Sequence, residues 1–185
     1  ILNNKLIPMV IKISKIAGDQ KPRIPDLITR PLGKSLFNKV CGMISDIHDG
    51  EVLLLDFSGY RVLDPSFIDE FIIKLISESR KDAPSFHVKL AGISDIAVMN
   101  ISSVFKSFND ANTPGMAVVT DSVIHNSYII GELNPQERDI INYLRVNRSA
   151  ASAEIATFLE MSHEDALAML ERMYRMRIIR KIDHS

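Results

Sequence analysis

One stretch, residues 51–80, constrains the fold more than any other part of the chain. It begins with a short apolar run, VLLL, and a Ser58-Gly59 turn follows. Asp64-Pro65 then opens a segment whose apolar residues have helical spacing. We interpret the stretch as a buried strand, a loop and a helix that begins at the carboxyl end of the strand. In open α/β sheets, ligands and partners usually bind at that end.

Strand-like and helical segments alternate along residues 7–120, which predicts an α/β fold of the order β-α-β-α-β-α-β with parallel strands and right-handed crossovers. The strands are predicted at 7–17, 51–57, 86–93 and 116–120, and the helices at 29–47, 64–80 and 94–108. Residues 51–57 are apolar at successive positions, which predicts cover on both faces. Residues 7–17 alternate in part, which is typical of an edge strand with one wet face.

The character of the chain changes at Asn134-Pro135. Asn134, Ser152 and Ser162 each precede a helical segment and are predicted to cap it. The terminal RIIRKI alternates as a strand does. Three short helices and a strand predict a small winged helix-turn-helix domain. We therefore expect two domains, 1–130 and 131–185, with residues 123–133 forming either an edge strand or a connecting arm.

Composition excludes several classes of protein. Of the 185 residues, 46% are apolar and 24% are charged, which is ordinary for a globular protein, and the net charge of −1 creates no general attraction to nucleic acid or membranes. The single Cys41 excludes an internal disulfide. No apolar run is long enough to span a bilayer, and residues 1–16 do not resemble a secretory leader. We expect a cytoplasmic protein.

The strand-loop-helix stretch resembles the STAS family, the fold of bacterial anti-sigma factor antagonists, and more closely the STAS-like domains. Those domains have a T-R-x-x-G segment upstream of a D-F-x-G…S-F-x-D-E segment. The matching segments are Thr29-Arg30-Pro31-Leu32-Gly33, Asp56-Phe57-Ser58-Gly59 and Ser66-Phe67-Ile68-Asp69-Glu70. The resemblance covers about residues 7–130. It implies a STAS-like domain that regulates by binding a protein partner, which in partner-switching systems is a GHKL-type ATPase kinase.

The same resemblance raises the question of phosphorylation. Anti-sigma antagonists carry Asp-Ser-Ser at the head of this helix, and their kinase phosphorylates the first Ser. Here the triplet is Asp64-Pro65-Ser66, so proline occupies the usual acceptor position. Ser66 remains as a candidate phosphorylation site: a helix N-terminus favours an anion, but Asp64 and Asp69 disfavour one. The alternative is that Ser66 is an ordinary residue of the first helical turn.

We expect the partner-binding surface at the loop and the start of the helix. The residues predicted to form it are Ser58, Gly59, Tyr60, Arg61, Asp64, Ser66 and Asp69. Tyrosine and arginine often anchor interfaces. The alternative is that Tyr60 and Arg61 only fill the loop.

The C-terminal segment resembles the winged-helix domains of transcriptional regulators in its pattern. These domains read DNA with the start of their third helix, which here carries His163, Glu164 and Asp165, and two carboxylates there would repel phosphates. Basic residues cluster at the other end of the segment and are the candidates for DNA contact: Arg172, Arg175, Arg177, Arg180 and Lys181. The whole segment is close to neutral, so DNA binding and protein or homodimer contact both stay open.

The sequence offers no support for an enzyme. The five histidines lack the spacing of a metal site, and no nucleophile elbow is present. Asp69 and Glu70 are adjacent on a helix, so we expect them to point about 100° apart and not to share one substrate easily. We predict no cofactor and no metal. The leading hypothesis is a STAS-like regulator with a winged-helix output domain that regulates transcription. A partner-switch protein without DNA binding and a small-molecule sensor remain as alternatives.

Overall fold

The computed structural model describes residues 7–18, 26–108, 115–124 and 127–182. Its strands are β1 (Met9–Lys12), β2 (Asp26–Leu27), β3 (Val52–Asp56), β4 (Val62–Leu63), β5 (His87–Ala91), β6 (Ala117–Ile124) and β7 (Ser127–Gly131). Its helices are α1 (Ile13–Ile16), α2 (Arg30–Met43), α3 (Pro65–Ile68), α4 (Lys74–Ser79), α5 (Asp95–Ser107), α6 (Pro135–Asn147), α7 (Ser152–Phe158) and α8 (His163–Arg175). A π-helical segment, Asp69–Ile73, joins α3 to α4, and we call the continuous element the 65–79 helix.

The fold is mixed α/β around a five-stranded, mostly parallel sheet of order β1-β3-β5-β6-β7, in which only β7 is antiparallel. The strands β1, β3, β5 and β6 lie side by side in the order in which they occur in the chain. Because the crossovers between parallel strands are right-handed, the helices that connect them lie on one face of the sheet. The core on that face contains the fully buried Leu53, Leu55 and Leu90, together with Phe71 of the 65–79 helix and Ile101 of α5. The predicted β-α-β-α-β-α-β order and the parallel pairing are confirmed.

The prediction that residues 51–57 are covered on both faces is wrong in part. Leu53 and Leu55 are fully buried against the helices, but Leu54 and Asp56, which point the other way, are half-buried. The reason is topological, because every crossover helix lies on the same side. The predicted edge position of the first strand is confirmed, since β1 is the outermost strand next to β3.

The strand predicted over residues 7–17 is shorter than expected. β1 ends at Lys12, and α1 then makes one helical turn that buries Ile13 and Ala17 in the core. The short parallel pair of β2 and β4 was not predicted, because two residues are too few to show a pattern. The predicted loop at 18–25 lies almost wholly outside the described residues, as does the one at 109–115. The open question about residues 123–133 is resolved in favour of an edge strand, β7.

The three C-terminal helices cover the opposite face of β6 and β7. Ala117, Val119 and Ile129 point away from the first core and form a second one with the helices. Ile140 of α6 and Ile155 of α7 are fully buried there. Val118 and Ile130 of the same two strands point into the first core. The β6–β7 pair is therefore a wall between two cores.

Most predicted caps are confirmed. The side chains of Asn134 and Ser162 accept hydrogen bonds from the backbone N–H of Glu137 (2.8 Å) and Asp165 (3.0 Å). The prediction for Ser152 is wrong, because the capping position is Ala151. The Glu154 carboxylate accepts from the Ala151 N–H at 2.6 Å instead. The Ser152 hydroxyl is engaged with His163 Nε2, 2.8 Å away.

The terminal strand predicted from RIIRKI is wrong, because residues 176–182 are irregular and follow α8 without pairing to a strand. Ile178 and Ile179 are consecutive and both buried in the second core, which alternation on a strand would not allow. The Arg177 carbonyl accepts a hydrogen bond from the His87 side chain, not from a ladder partner. Over the ranges that the structure describes, no helix is long and apolar enough to cross a membrane.

Candidate functional site

The start of α2 is joined to the 65–79 helix by ion pairs. Arg30 Nη1 lies 2.7 Å from Asp69 Oδ2 and 2.8 Å from Glu70 Oε1. Lys74 Nζ also donates to the Glu70 carboxylate. The hydrogen bond from Lys74, followed by that from Arg30, holds the pKa of Glu70 below its usual value. One guanidinium thus connects two helices that are about forty residues apart in the chain.

Asp69 and Glu70, although adjacent on the helix, both face the start of α2. Both carboxylates reach the same nitrogen of Arg30. The π-helical segment begins at Asp69, and its wider turn reduces the angle between neighbouring side chains below the 100° of an α-helix. π-helical turns are frequent at functional sites.

Gly33 lets α2 approach the 65–79 helix closely. A Cβ atom at this position would lie 2.9 Å from the Glu70 Cβ and 3.1 Å from the Phe67 carbonyl oxygen. Arg30 and Gly33 are three residues apart and therefore lie on the same side of α2. Arg30 and Gly33 of the T-R-x-x-G segment therefore both contact the S-F-x-D-E segment, Arg30 through a salt bridge and Gly33 through close packing.

The first turn of the 65–79 helix is held by Asp64. Its Oδ1 accepts from the Phe67 N–H (2.9 Å) and from the Ser66 hydroxyl (2.6 Å). Burial opposes ionisation of Asp64, but these hydrogen bonds outweigh it and lower the pKa. The Asp64 N–H in turn donates to the Leu27 carbonyl of β2 at 3.0 Å. Ser66 is half-buried, and its hydroxyl is part of the cap.

The loop between β3 and β4 is exposed and fixed in place. Ser58, Gly59 and Arg61 are exposed, and Tyr60 is half-buried against the first core. The Asp56 carboxylate accepts from the Ser58 N–H at 2.9 Å. A hydrogen bond with Ser58 also lowers the pKa of Asp56. Gly59 has a φ of 93°, a conformation that favours glycine.

The loop also contacts the segment that follows β5. A Cβ atom on Gly92 would lie 2.3 Å from the Ser58 Oγ, so only glycine leaves room for the turn. The Ser94 hydroxyl donates to the Arg61 carbonyl. Asn100 of α5 donates to the Leu63 carbonyl at 2.9 Å. These contacts hold the loop against the start of α5.

The structure brings the seven predicted surface residues to one edge of the sheet, between the carboxyl end of β3 and the first turns of the 65–79 helix. Sequence reasoning missed Arg30, Gly33 and Glu70 as members of this site, although all three belong to the motifs that carry the resemblance. It also missed the contact of Ser94 with the loop. Ser94 caps α5 by accepting from the Ala97 N–H, and its contact with the loop is a tertiary one that no local pattern shows.

The basic residues predicted for DNA contact are largely engaged within the chain. Arg172 pairs with Glu137, whose side chain is fully buried. Arg175 and Lys181 both pair with Glu171, at 3.5 and 2.7 Å. Arg180 Nη1 donates to the Gly50 carbonyl at 3.4 Å. The backbone carbonyl of Arg177 accepts from His87, and the Arg177 guanidinium lies over the Tyr174 ring, 5.1 Å from the centroid.

Among the described residues, no group of three or more His, Cys, Asp or Glu side chains is arranged to hold a metal ion. Comparison of the chain with family models, with curated proteins and with solved structures found no match. The functional interpretation therefore depends on the residues and their geometry.

Proposed function

We propose that this chain is a non-enzymatic regulatory protein whose α/β unit is STAS-like and binds a protein partner at the carboxyl end of β3. One observation carries the proposal: the two motif segments that resemble the family meet in space. Arg30 pairs with both Asp69 and Glu70, and Gly33 provides the close approach beside them. The motif residues thus act together next to the predicted docking surface.

The geometry of the loop supports a docking role. Ser58, Gly59 and Arg61 are exposed at its tip, and Tyr60 lies half-buried beneath them. The loop is fixed by Asp56, Ser94 and the close approach of Gly92, so a partner would meet a preformed surface. A preformed surface loses little conformational entropy on binding, which favours affinity. Tyrosine and arginine are the residue types that most often anchor such contacts.

Contact, not phosphorylation, is the mechanism that this site favours. Pro65 stands at the usual acceptor position, and the Ser66 hydroxyl is hydrogen-bonded to Asp64. A phosphate on Ser66 would break that bond and place its charge beside the Asp64 carboxylate. We propose that the partner recognises the loop and the first helical turn as they stand, and an ATPase of the GHKL type is one candidate for it.

For the C-terminal helices we propose a winged-helix-like output unit that contacts protein in preference to DNA. The order and length of α6, α7 and α8, with a short turn before α8, support the likeness. The start of α8 carries Glu164 and Asp165, both exposed. Three of the five basic residues nearby, Arg172, Arg175 and Lys181, are paired with Glu137 and Glu171. An exposed acidic helix start beside paired basic side chains is a poor match for phosphates.

Site-specific photo-crosslinking in the native host tests both parts. A photoreactive residue replaces Arg61 at the loop in one variant, and Asn142, which is exposed on α6, in a matched control. Crosslinked proteins and crosslinked DNA are both identified. We expect a protein that is captured from position 61 and not from position 142, and we expect Ser58→Trp to reduce its yield several-fold because it fills the loop tip.

Two results would contradict the proposal. Identical sets of proteins from the two positions would remove the assigned docking surface. Crosslinked DNA recovered from a third variant, with the photoreactive residue at the exposed Arg175, would assign the output unit to DNA. Identification of an ATPase kinase at position 61 would select the partner-switch form of the proposal.

A further inference from the structure

An exposed apolar surface on α5 adjoins the loop between β3 and β4. Ile96 and Met99, in the first two turns of the helix, are 46% and 70% exposed. Residues three apart on a helix lie on the same side, so the two side chains form one surface. This surface is next to the loop, because the Ser94 hydroxyl at the start of α5 donates to the Arg61 carbonyl. Methionine adapts its shape and is common at surfaces that bind other proteins.

The short strands β4 and β2 lie beside this surface. Asn100 of α5 donates to the Leu63 carbonyl of β4 at 2.9 Å, and β4 pairs with β2. Leu27 and Leu63 are register partners and are both fully buried in the first core. Side chains alternate along a strand, so the other register partners, Asp26 and Val62, point away from that core. Asp26 thus shares a face with Val62, which is half-buried.

The carboxylate of Asp26 is buried without a partner. The residue is only 9% exposed, and its Oδ1 atom has no hydrogen-bond partner. Among the described residues, no lysine, arginine or histidine forms an ion pair with it. A buried carboxylate that lacks both a cation and a hydrogen-bond donor destabilises a folded protein, so its presence calls for an explanation.

The charges near this carboxylate are mainly negative. Asp64 follows β4 and caps the 65–79 helix. Asp95 is exposed in the first turn of α5 and has no ion pair within the described ranges. Arg61 is exposed in the loop before β4, and the guanidinium of Arg30 is already paired with two carboxylates of the 65–79 helix. The surface is therefore complementary in charge to a basic segment.

We propose that the protein partner binds across α5 and β4 with a basic, apolar segment, and that a lysine or arginine of this segment pairs with Asp26. Its apolar side chains cover Ile96 and Met99. Its cation supplies the donor that Asp26 Oδ1 lacks in the free chain, and a charged hydrogen bond is stronger in a buried site than in water. This inference rests on the proposed function, because it extends the docking surface of the same partner.

Urea unfolding of the free chain tests the state of the carboxylate. Asp26→Asn keeps the shape of the side chain and removes its charge, and Asp139→Asn, an exposed carboxylate on α6, is the matched control. We expect Asp26→Asn to raise the unfolding midpoint at neutral pH, because it removes an unpaired buried charge. The control should leave the midpoint unchanged. A lower midpoint for Asp26→Asn would overturn the proposal, since the carboxylate would then already have a stabilising partner within the chain.

Photo-crosslinking in the native host tests the binding. A photoreactive residue replaces Met99 in the wild-type chain and in both variants, and the crosslinked peptide of the partner is sequenced. We expect the protein captured from position 61 to be captured from position 99 as well, through a peptide that contains a lysine or arginine. Its yield should fall about tenfold with Asp26→Asn, because the cation loses its buried partner, and stay the same with Asp139→Asn.

The outcomes separate this inference from the proposed function. Capture from position 61 without capture from position 99, or equal yields from the two variants, would refute the extended surface and leave the docking loop in place. A crosslinked peptide without a lysine or arginine would refute the pairing with Asp26. Failure to capture any protein from position 61 would remove the proposed function, and this inference with it.

Discussion

His87 lies at the start of β5, on the sheet face that the C-terminal segment covers. The imidazole is buried, and Nδ1 faces the Arg177 carbonyl at 2.9 Å. A carbonyl can only accept, so the proton of the neutral ring is on Nδ1. Burial is the main cause that lowers the pKa of His87 to about 4, and the charges of Arg180 and Arg177 add to it.

This pKa predicts a loss of stability in mild acid. In the unfolded chain His87 protonates near pH 6.5, while in the folded chain it stays neutral down to about pH 4. Its contribution is therefore complete above about pH 6.5 and decreases by about 3 kcal/mol as the pH falls to about 4. His87→Asn keeps a donor for the Arg177 carbonyl and does not titrate.

Urea unfolding of both chains across this pH window measures the effect. We expect the free energy of unfolding of the wild type to fall more steeply than that of His87→Asn. Parallel curves for the two chains would show that His87 is not buried in its neutral form.

At the level of elements, the junction of α2 with the 65–79 helix gives the sharpest contrast between two glycines of one helix. Gly33 has no space for a Cβ atom, whereas a Cβ on Gly42 would meet nothing within 4 Å. Gly33→Ala should destabilise the protein by about 1–3 kcal/mol, because the two helices must move apart. Gly42→Ala should stabilise it by up to about 1 kcal/mol through helix propensity.

Chemical denaturation of the two variants measures whether each substitution lowers or raises the free energy of unfolding. Gly33→Ala should also disturb the ion pair of Arg30 with Asp69 and Glu70, which lies beside the proposed docking surface. Stabilisation by both substitutions would mean that α2 and the 65–79 helix are not in close contact at Gly33.

The elements that local patterns define were predictable. The caps at Asp64, Ser94 and Asn134 each combine a capping side chain with an apolar stripe, and all three form. The π-helical segment was not predictable, because the apolar stripe of the helix is read with an α-helical spacing and does not mark a π-helical turn. The RIIRKI strand failed for a similar reason, since two buried neighbours in the second core override an alternating pattern.

The proposed docking site was predictable in part. Its position followed from the rule that binding sites lie at the carboxyl ends of parallel strands, and the loop residues were named on that basis. The pairing of Arg30 with Asp69 and Glu70 joins segments about forty residues apart. Local sequence patterns carry no information on contacts between distant segments. Only the resemblance to the family motifs singled out Arg30, Asp69 and Glu70.

At the scale of the whole molecule, two hydrophobic cores share the β6–β7 wall. Because both faces of these strands are buried, loss of either core exposes the wall and should weaken the other. Ile101 on α5 and Ile155 on α7 are both fully buried, one in each core. They form a matched pair for testing this coupling.

We expect Ile101→Val and Ile155→Val each to destabilise the protein by about 0.5–1.5 kcal/mol in one cooperative transition. Circular dichroism and hydrogen exchange at amides of both cores measure it. A transition that splits in two, with each variant affecting only its own half, would show that the cores unfold independently.

The β6–β7 wall also limits how the gene for this chain can recombine. If recombination joined residues 1–131 to a different partner gene, Ala117, Val119 and Ile129 would be left open to water. Such a fusion would aggregate unless the new segment supplied apolar side chains for the same three positions. We therefore expect the α/β part and the C-terminal helices to occur together in related genes, and not to be exchanged separately.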